Sequence, residues 1–151
     1  MNASERVEIL LVEDNEDDLE LALRAFRLAN LSNRIDVVRD GAEAIDFIFC
    51  QGKYAHRQFD NQPKLILLDL KLPKIDGLDV LRRIKGDPRT RTIPVVMLTS
   101  SREQNDVLES YQLGVNAYIV KPVDFEQFTA AARQIGWFWL LLNQAPRVEG
   151  R

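Results

Sequence analysis

Residues 64–69 read KLILLD, an apolar run of strand length closed by an aspartate. A run with no polar residue inside it fits a strand buried on both faces, as in a parallel sheet covered by helices. The helix after it carries Leu78, Leu81 and Ile84 at helical spacing and stops at Gly86 and Pro88. Working outward, the same unit recurs. Residues 7–12 (VEILLV) are a strand followed by a helical pattern in Leu19, Leu23, Phe26 and Leu28, and residues 35–38 are a second strand before a helix over 42–49. Residues 94–98 (PVVML) form the fourth strand, with a helix over 104–113 that Gly114 caps. Residues 117–120 form the fifth, and Asp124 caps a last helix running to Leu142. Five strand–helix units predict an α/β fold, a three-layer sandwich with a five-stranded parallel sheet. Right-handed crossovers leave few topologies, of which the flavodoxin-like order 2-1-3-4-5 is the commonest.

The chain of 151 residues, with 46% hydrophobic residues and 20 Lys+Arg against 23 Asp+Glu, is expected to be a single domain over residues 1–151, large enough to need no disulfide or structural metal. A net charge of -3 counts against a nucleic-acid partner, because a broad phosphate-binding face needs clustered Lys and Arg. Cys50 and His56, one of each, cannot make a zinc site, and Cys50 is expected to be a buried inert thiol. The N-terminus has no basic start followed by an apolar run, and residues 135–142 are too short to cross a bilayer, which takes about 20 residues as a helix. A cytoplasmic protein without membrane association is expected. Residues 51–63 are too long for an ordinary helix-to-strand connection and are read as a surface insertion, with the second helix prolonged toward Tyr54.

In an open α/β sheet, ligands bind beyond the carboxyl edge where the strand order reverses, here between the first and third strands. Glu13 and Asp14 follow the first strand, Asp69 ends the third, Thr99 ends the fourth and Lys121 follows the fifth. These side chains should meet at one edge. Glu13 and Asp14 taken alone fit helix capping as well as function, and Asp17 and Asp18 are read as acids favoured at a helix N-terminus. Asp69 closes a buried strand, and a buried carboxylate needs a compensating charge. Lys121 cannot neutralise three carboxylates, so a divalent cation follows, and all-oxygen ligation at a sheet edge favours magnesium. The chemistry this suggests is phosphoryl transfer onto Asp69 as nucleophile, with the cation, Lys121 and a hydroxyl around the moving group. Asp14 would hold the metal, Glu13 would support it directly or through water, and the backbone carbonyl of Lys71 would join. Thr99 would bond a phosphoryl oxygen; its alternative is a local hydrogen bond within residues 99–103. Gly77 and Pro73 shape the turn after Asp69, where backbone comes close to the site.

Four segments, LLVEDN at 10–15, LILLDLKLPKIDG at 65–77, PVVMLTSS at 94–101 and LGVNAYIVKPVD at 113–124, resemble the receiver domain of two-component response regulators, in that family's order and over nearly the whole chain. The resemblance implies a CheY-like fold and a phosphoryl group accepted by Asp69 from a phosphohistidine on a sensor histidine kinase. It implies Glu13 and Asp14 as the acidic pocket for Mg2+, with Mn2+ able to substitute. It implies Thr99 and Lys121 as reporters of phosphorylation, Tyr118 as an aromatic switch, and a cis Lys121–Pro122 bond. With no output domain following, the message would pass by surface contact. The insertion and the aromatic C-terminus also resemble the small regulators paired with phytochrome-type kinases, for which dimers are typical. Phe125, Phe128, Ala132, Ile135, Trp139 and Leu142 form one helical seam, while Trp137, Phe138 and Leu141 project elsewhere, so a homodimer built on those three and the fifth strand is expected. Two rivals are a flavodoxin-like electron carrier, whose FMN phosphate the acidic loop DNEDD would repel, and a degenerate receiver that only binds a partner.

Overall fold

The computed structural model describes residues 8–31, 35–121 and 124–135. Strands β1 (Ile9–Val12), β2 (Ile35–Val38), β3 (Leu65–Leu68), β4 (Val95–Thr99) and β5 (Ala117–Val120) alternate with helices α1 (Glu16–Leu28), α2 (Gly41–Ile48), α3 (Gly77–Gly86), α4 (Gln104–Leu113) and α5 (Phe125–Ile135). The strands form one parallel sheet of order β2-β1-β3-β4-β5, the predicted topology. Val12 pairs with Leu68, and Thr99 with Val120. That register sets the residues following β1 and β3 side by side: the Asp69 N–H donates to the Val12 carbonyl at 3.1 Å. The Lys121 N–H reaches the Thr99 carbonyl at 2.8 Å.

Strand pleat divides the core into two layers. Leu10, Val12, Ile66, Leu68, Val95 and Met97 pack with Ala44, Ile45 and Ile48 of α2 and Val80, Leu81 and Ile84 of α3. Ile9, Leu11, Leu65, Leu67, Val96 and Leu98 pack with Leu19, Ala22 and Phe26 of α1 and Phe128 and Ala132 of α5. The central strands β1, β3 and β4 are buried on both faces, which is why they read as unbroken apolar runs. With each large apolar side chain contributing about 1.5–3 kcal/mol when fully buried, these two layers hold the carboxyl edge rigid. The far edge is less covered: Leu108 and Tyr111 of α4 and Ile119 of β5 are exposed.

Two glycines bring backbone against the edge. A Cβ on Gly77 would lie 2.2 Å from the Asp69 carbonyl oxygen, and one on Gly41 would lie 1.7 Å from that of Ile75. Only glycine allows α3 and α2 to start this close to the loop after β3.

Some local expectations are corrected. α2 does not continue toward Tyr54. It ends at Ile48, Cys50 takes a left-handed φ of 56° that breaks the helical path, and a separate 3-10 turn follows at Gly52–Tyr54. Cys50 is half-buried rather than buried, with an Arg57 guanidinium nitrogen 3.7 Å from its sulfur. Arg57 also stacks over the Phe47 ring at 3.9 Å and donates to the carbonyls of Phe47 and Asn61, fastening the insertion to α2. Gly114 caps α4 with φ 109°, and the Asp124 side chain accepts from the Glu126 N–H at 2.9 Å at the start of α5. The continuation of the last helix to Leu142, with Trp137, Phe138, Trp139 and Leu141, and the Lys121–Pro122 bond lie outside the described residues. Among the described residues no helix is long and apolar enough to cross a membrane.

Candidate functional site

Five parallel strands end on one edge, and the polar residues there converge as expected. One carboxylate oxygen from each of Glu13, Asp14 and Asp69 lies within 4.8 Å of the others. Glu13 and Asp69 are buried and Asp14 is exposed, so the group opens to solvent on one side. Neither Glu13 nor Asp14 caps α1. That role belongs to Asn15, whose side chain accepts from the Asp18 N–H at 2.9 Å. The Lys71 N–H donates to Asp69 Oδ1 at 3.2 Å, which sets residue 71 backbone beside the carboxylate.

Lys121 crosses from the end of β5 and spends its ammonium on three carboxylates: Glu13 at 2.8 Å, Asp18 at 2.8 Å and Asp69 at 3.1 Å. Asp18 is the residue that sequence reasoning missed. An acid in the first turn of a helix is already explained by the helix dipole, and nothing local signals that a lysine 103 positions away reaches it. Against four acids gathered from three segments stands this one ammonium, among the described residues. The donor set is all oxygen, open to solvent at Asp14, and short of positive charge, which fits a hard divalent cation of the magnesium type.

Charge crowding is visible in the protonation equilibria. Burial raises the Glu13 carboxyl, the Lys121 hydrogen bond opposes this, and the Asp69 charge adds to the rise, leaving it at about 7. Burial draws Lys121 down, but its bonds to Asp18 and Glu13 and the Asp69 charge outweigh it and hold the ammonium above the ordinary lysine value. Between the ordinary carboxylate value and about 7, the native state binds a proton at Glu13 that the unfolded chain does not, so this group's share of stability falls as pH rises through that window. Filling the pocket with Mg2+ near neutral pH should therefore expel that proton. Mg2+ affinity is expected to rise as pH goes from about 6 to about 8, with proton release seen by calorimetry in buffers of different ionisation heat. An affinity flat over that range contradicts the assignment.

Thr99 is fully buried, and its hydroxyl accepts from the Ser101 N–H at 3.3 Å, so the local hydrogen bond weighed from sequence is present. The Ser101 hydroxyl in turn donates to Asp106 at 2.6 Å. Tyr118 packs against the α2–α3 layer, and its hydroxyl donates to the Ser101 carbonyl at 3.0 Å. The loop after β4 thus links Thr99, Tyr118 and the first turn of α4.

A doubly wound sheet with an acidic, lysine-bridged pocket at its switch point defines a receiver-type signalling domain. Residues 9–133 match the response regulator receiver domain family, and the chain belongs to it. Membership makes it the phosphoacceptor partner of a histidine kinase, in a family that uses Mg2+. Response regulator Rcp1 of Synechocystis is 40% identical over 132 residues, covering 87% of this chain and 88% of that protein. The crystal structure of the Mn(2+)-bound form of Rcp1 superposes with a TM-score of 0.80 at 38% identity, over 93% of this chain and 99% of that one. The phosphorylated cyanobacterial phytochrome response regulator RcpA gives 0.81 at 40% identity, over 94% and 99%. The bacteriophytochrome response regulator AtBRR gives 0.73 at 54% identity, over 93% and 99%.

Proposed function

We propose that this chain is a single-domain response regulator, one unit over residues 1–151, that accepts a phosphoryl group at Asp69 from a phytochrome-type sensor kinase. The observation that carries this reading is the meeting of Glu13, Asp14, Asp69 and Lys121, from the ends of three strands, in one half-open pocket. An Asp69 oxygen attacks the phosphorus of a phosphohistidine, the P–N bond breaks, and its electron pair stays on the imidazole nitrogen, leaving an acyl phosphate on Asp69. Glu13, Asp14, Asp69 and the Lys71 carbonyl would hold Mg2+, and the ion would supply positive charge against the phosphoryl oxygens. The Lys121 ammonium pairs with one of those oxygens and the Thr99 hydroxyl with another. Drawing Thr99 toward the site then pulls on the loop that bonds Tyr118, and the surface of α4 and β5 changes. Water attack on the same acyl phosphate, assisted by the same pocket, resets the domain.

The kinase class is tested by mixing the phosphorylated catalytic core of a phytochrome-type histidine kinase with this chain and Mg2+. Label is expected to move onto the chain within minutes and to stop on chelation of the metal. Transfer that ignores chelation, or no transfer from any such kinase, contradicts the reading.

The C-terminal apolar residues Trp137, Phe138 and Leu141 are proposed to join the exposed Ile119 on β5 in a homodimer. Sedimentation of Trp137→Glu should give the monomer mass where the unaltered chain gives the dimer. A dimer that persists in the variant refutes that interface.

A further inference from the structure

We propose that Asp18 is a positioning residue: it tethers the Lys121 ammonium over the pocket once a cation and a phosphoryl group arrive there. The inference rests on the reading of Asp69 as phosphoacceptor. An ammonium has three N–H bonds, and here each is directed at a different carboxylate, on Glu13, Asp18 and Asp69, at 2.8, 2.8 and 3.1 Å. Two of those acceptors, Glu13 and Asp69, belong to the trio gathered within 4.8 Å that suits a divalent ion. Asp18 stands outside that trio. A cation entering the trio draws on the lone pairs of Glu13 and Asp69 and repels the ammonium, so Lys121 loses two of its three partners at the moment it is needed. Asp18 is the acceptor that remains. Its backbone is pinned for the purpose, because its N–H is held by the Asn15 cap at the start of α1, while its side chain is 38% exposed and free of the metal group.

The competing account is that Asp18 merely favours the N-terminus of α1, a role it shares with Glu16 and Asp17. Asp17 therefore supplies the control: it occupies the same first turn with the same charge. Two readouts separate the accounts, the side-chain 15N signal of the Lys121 ammonium in the presence of Mg2+ and beryllofluoride, and the rate of phosphorylation by phosphoramidate at saturating Mg2+. In the unaltered protein and in Asp17→Asn the ammonium signal is expected to be protected and the rate unchanged. In Asp18→Asn the protected signal is expected to vanish and the rate to fall about tenfold, the size of coupling found between directly bonded charged groups. Asp18→Glu is expected to restore part of both, and Asp18→Ser serves as a second variant if Asp18→Asn folds poorly. A protected ammonium and a normal rate in the Asp18 variants overturn the proposal, as does an equal loss in Asp17→Asn. If the unaltered chain takes no phosphoryl group at all, it is the reading of Asp69 that fails, and the ammonium signal alone still decides the tether.

Discussion

Asp69→Asn is expected to abolish phosphorylation: incubated with Mg2+ and a small phosphodonor, the unaltered chain gains the mass of one phosphoryl group and the variant gains none. The substitution removes the nucleophilic oxygen while keeping the shape of the side chain at the end of β3. Asparagine also deletes one of the negative charges around Lys121, so the variant should fold at least as stably as the parent, which separates lost chemistry from lost structure. Mass gain persisting in the variant would reject Asp69 as the acceptor. Gain in neither protein would favour a domain that only binds a partner.

Lys121→Ala should produce the largest change in stability. Its side chain is 11% exposed, and its ammonium bridges Glu13 and Asp69, whose side chains are 2% and 7% exposed. Removing it strands buried carboxylates, and breaking a buried pair from one side costs about 3–5 kcal/mol. Glu13, already raised to about 7, can relieve part of this by taking up a proton, so the loss should shrink as pH falls below about 7. Mg2+ should restore much of the loss, since it supplies the missing positive charge in the folded state alone. Denaturant unfolding in chelator and in Mg2+ reads both effects. A midpoint in chelator equal to that of the parent would mean that Lys121 is not what balances the pocket.

Much of the frame was legible because its physics is local. Residues 64–68 and 7–12 read as buried strands from their apolar runs, and right-handed crossovers leave few topologies, of which the commonest, 2-1-3-4-5, is the one found. The site residues at the strand ends were legible for the same reason: once the strand order is known, Glu13, Asp14, Asp69, Thr99 and Lys121 have only one edge to occupy. What escaped depends on contacts between distant segments. Asp18 carries a sufficient local explanation in the helix dipole, so its bond to Lys121 left no trace in the neighbouring residues. Nothing in the neighbouring residues marks Gly41, although the Ile75 carbonyl against it forbids a side chain. Arg57 lies in the insertion with no local signal of its contacts, yet it packs on Phe47 and holds that segment to α2. The apolar neighbours of Cys50 point to a core thiol, but the chain turns there with positive φ and leaves it half-buried.

The convergence of Glu13, Asp14 and Asp69, from the ends of two strands, into one cation pocket is the claim on which the rest stands. Anomalous diffraction from crystals of this protein soaked in Mn2+ tests it most directly. The account predicts one strong peak in direct contact with carboxylate oxygens of Asp14 and Asp69, with Glu13 touching it or bridged to it by water. A manganese peak bound away from these residues, with the pocket left to Lys121 alone, would contradict it.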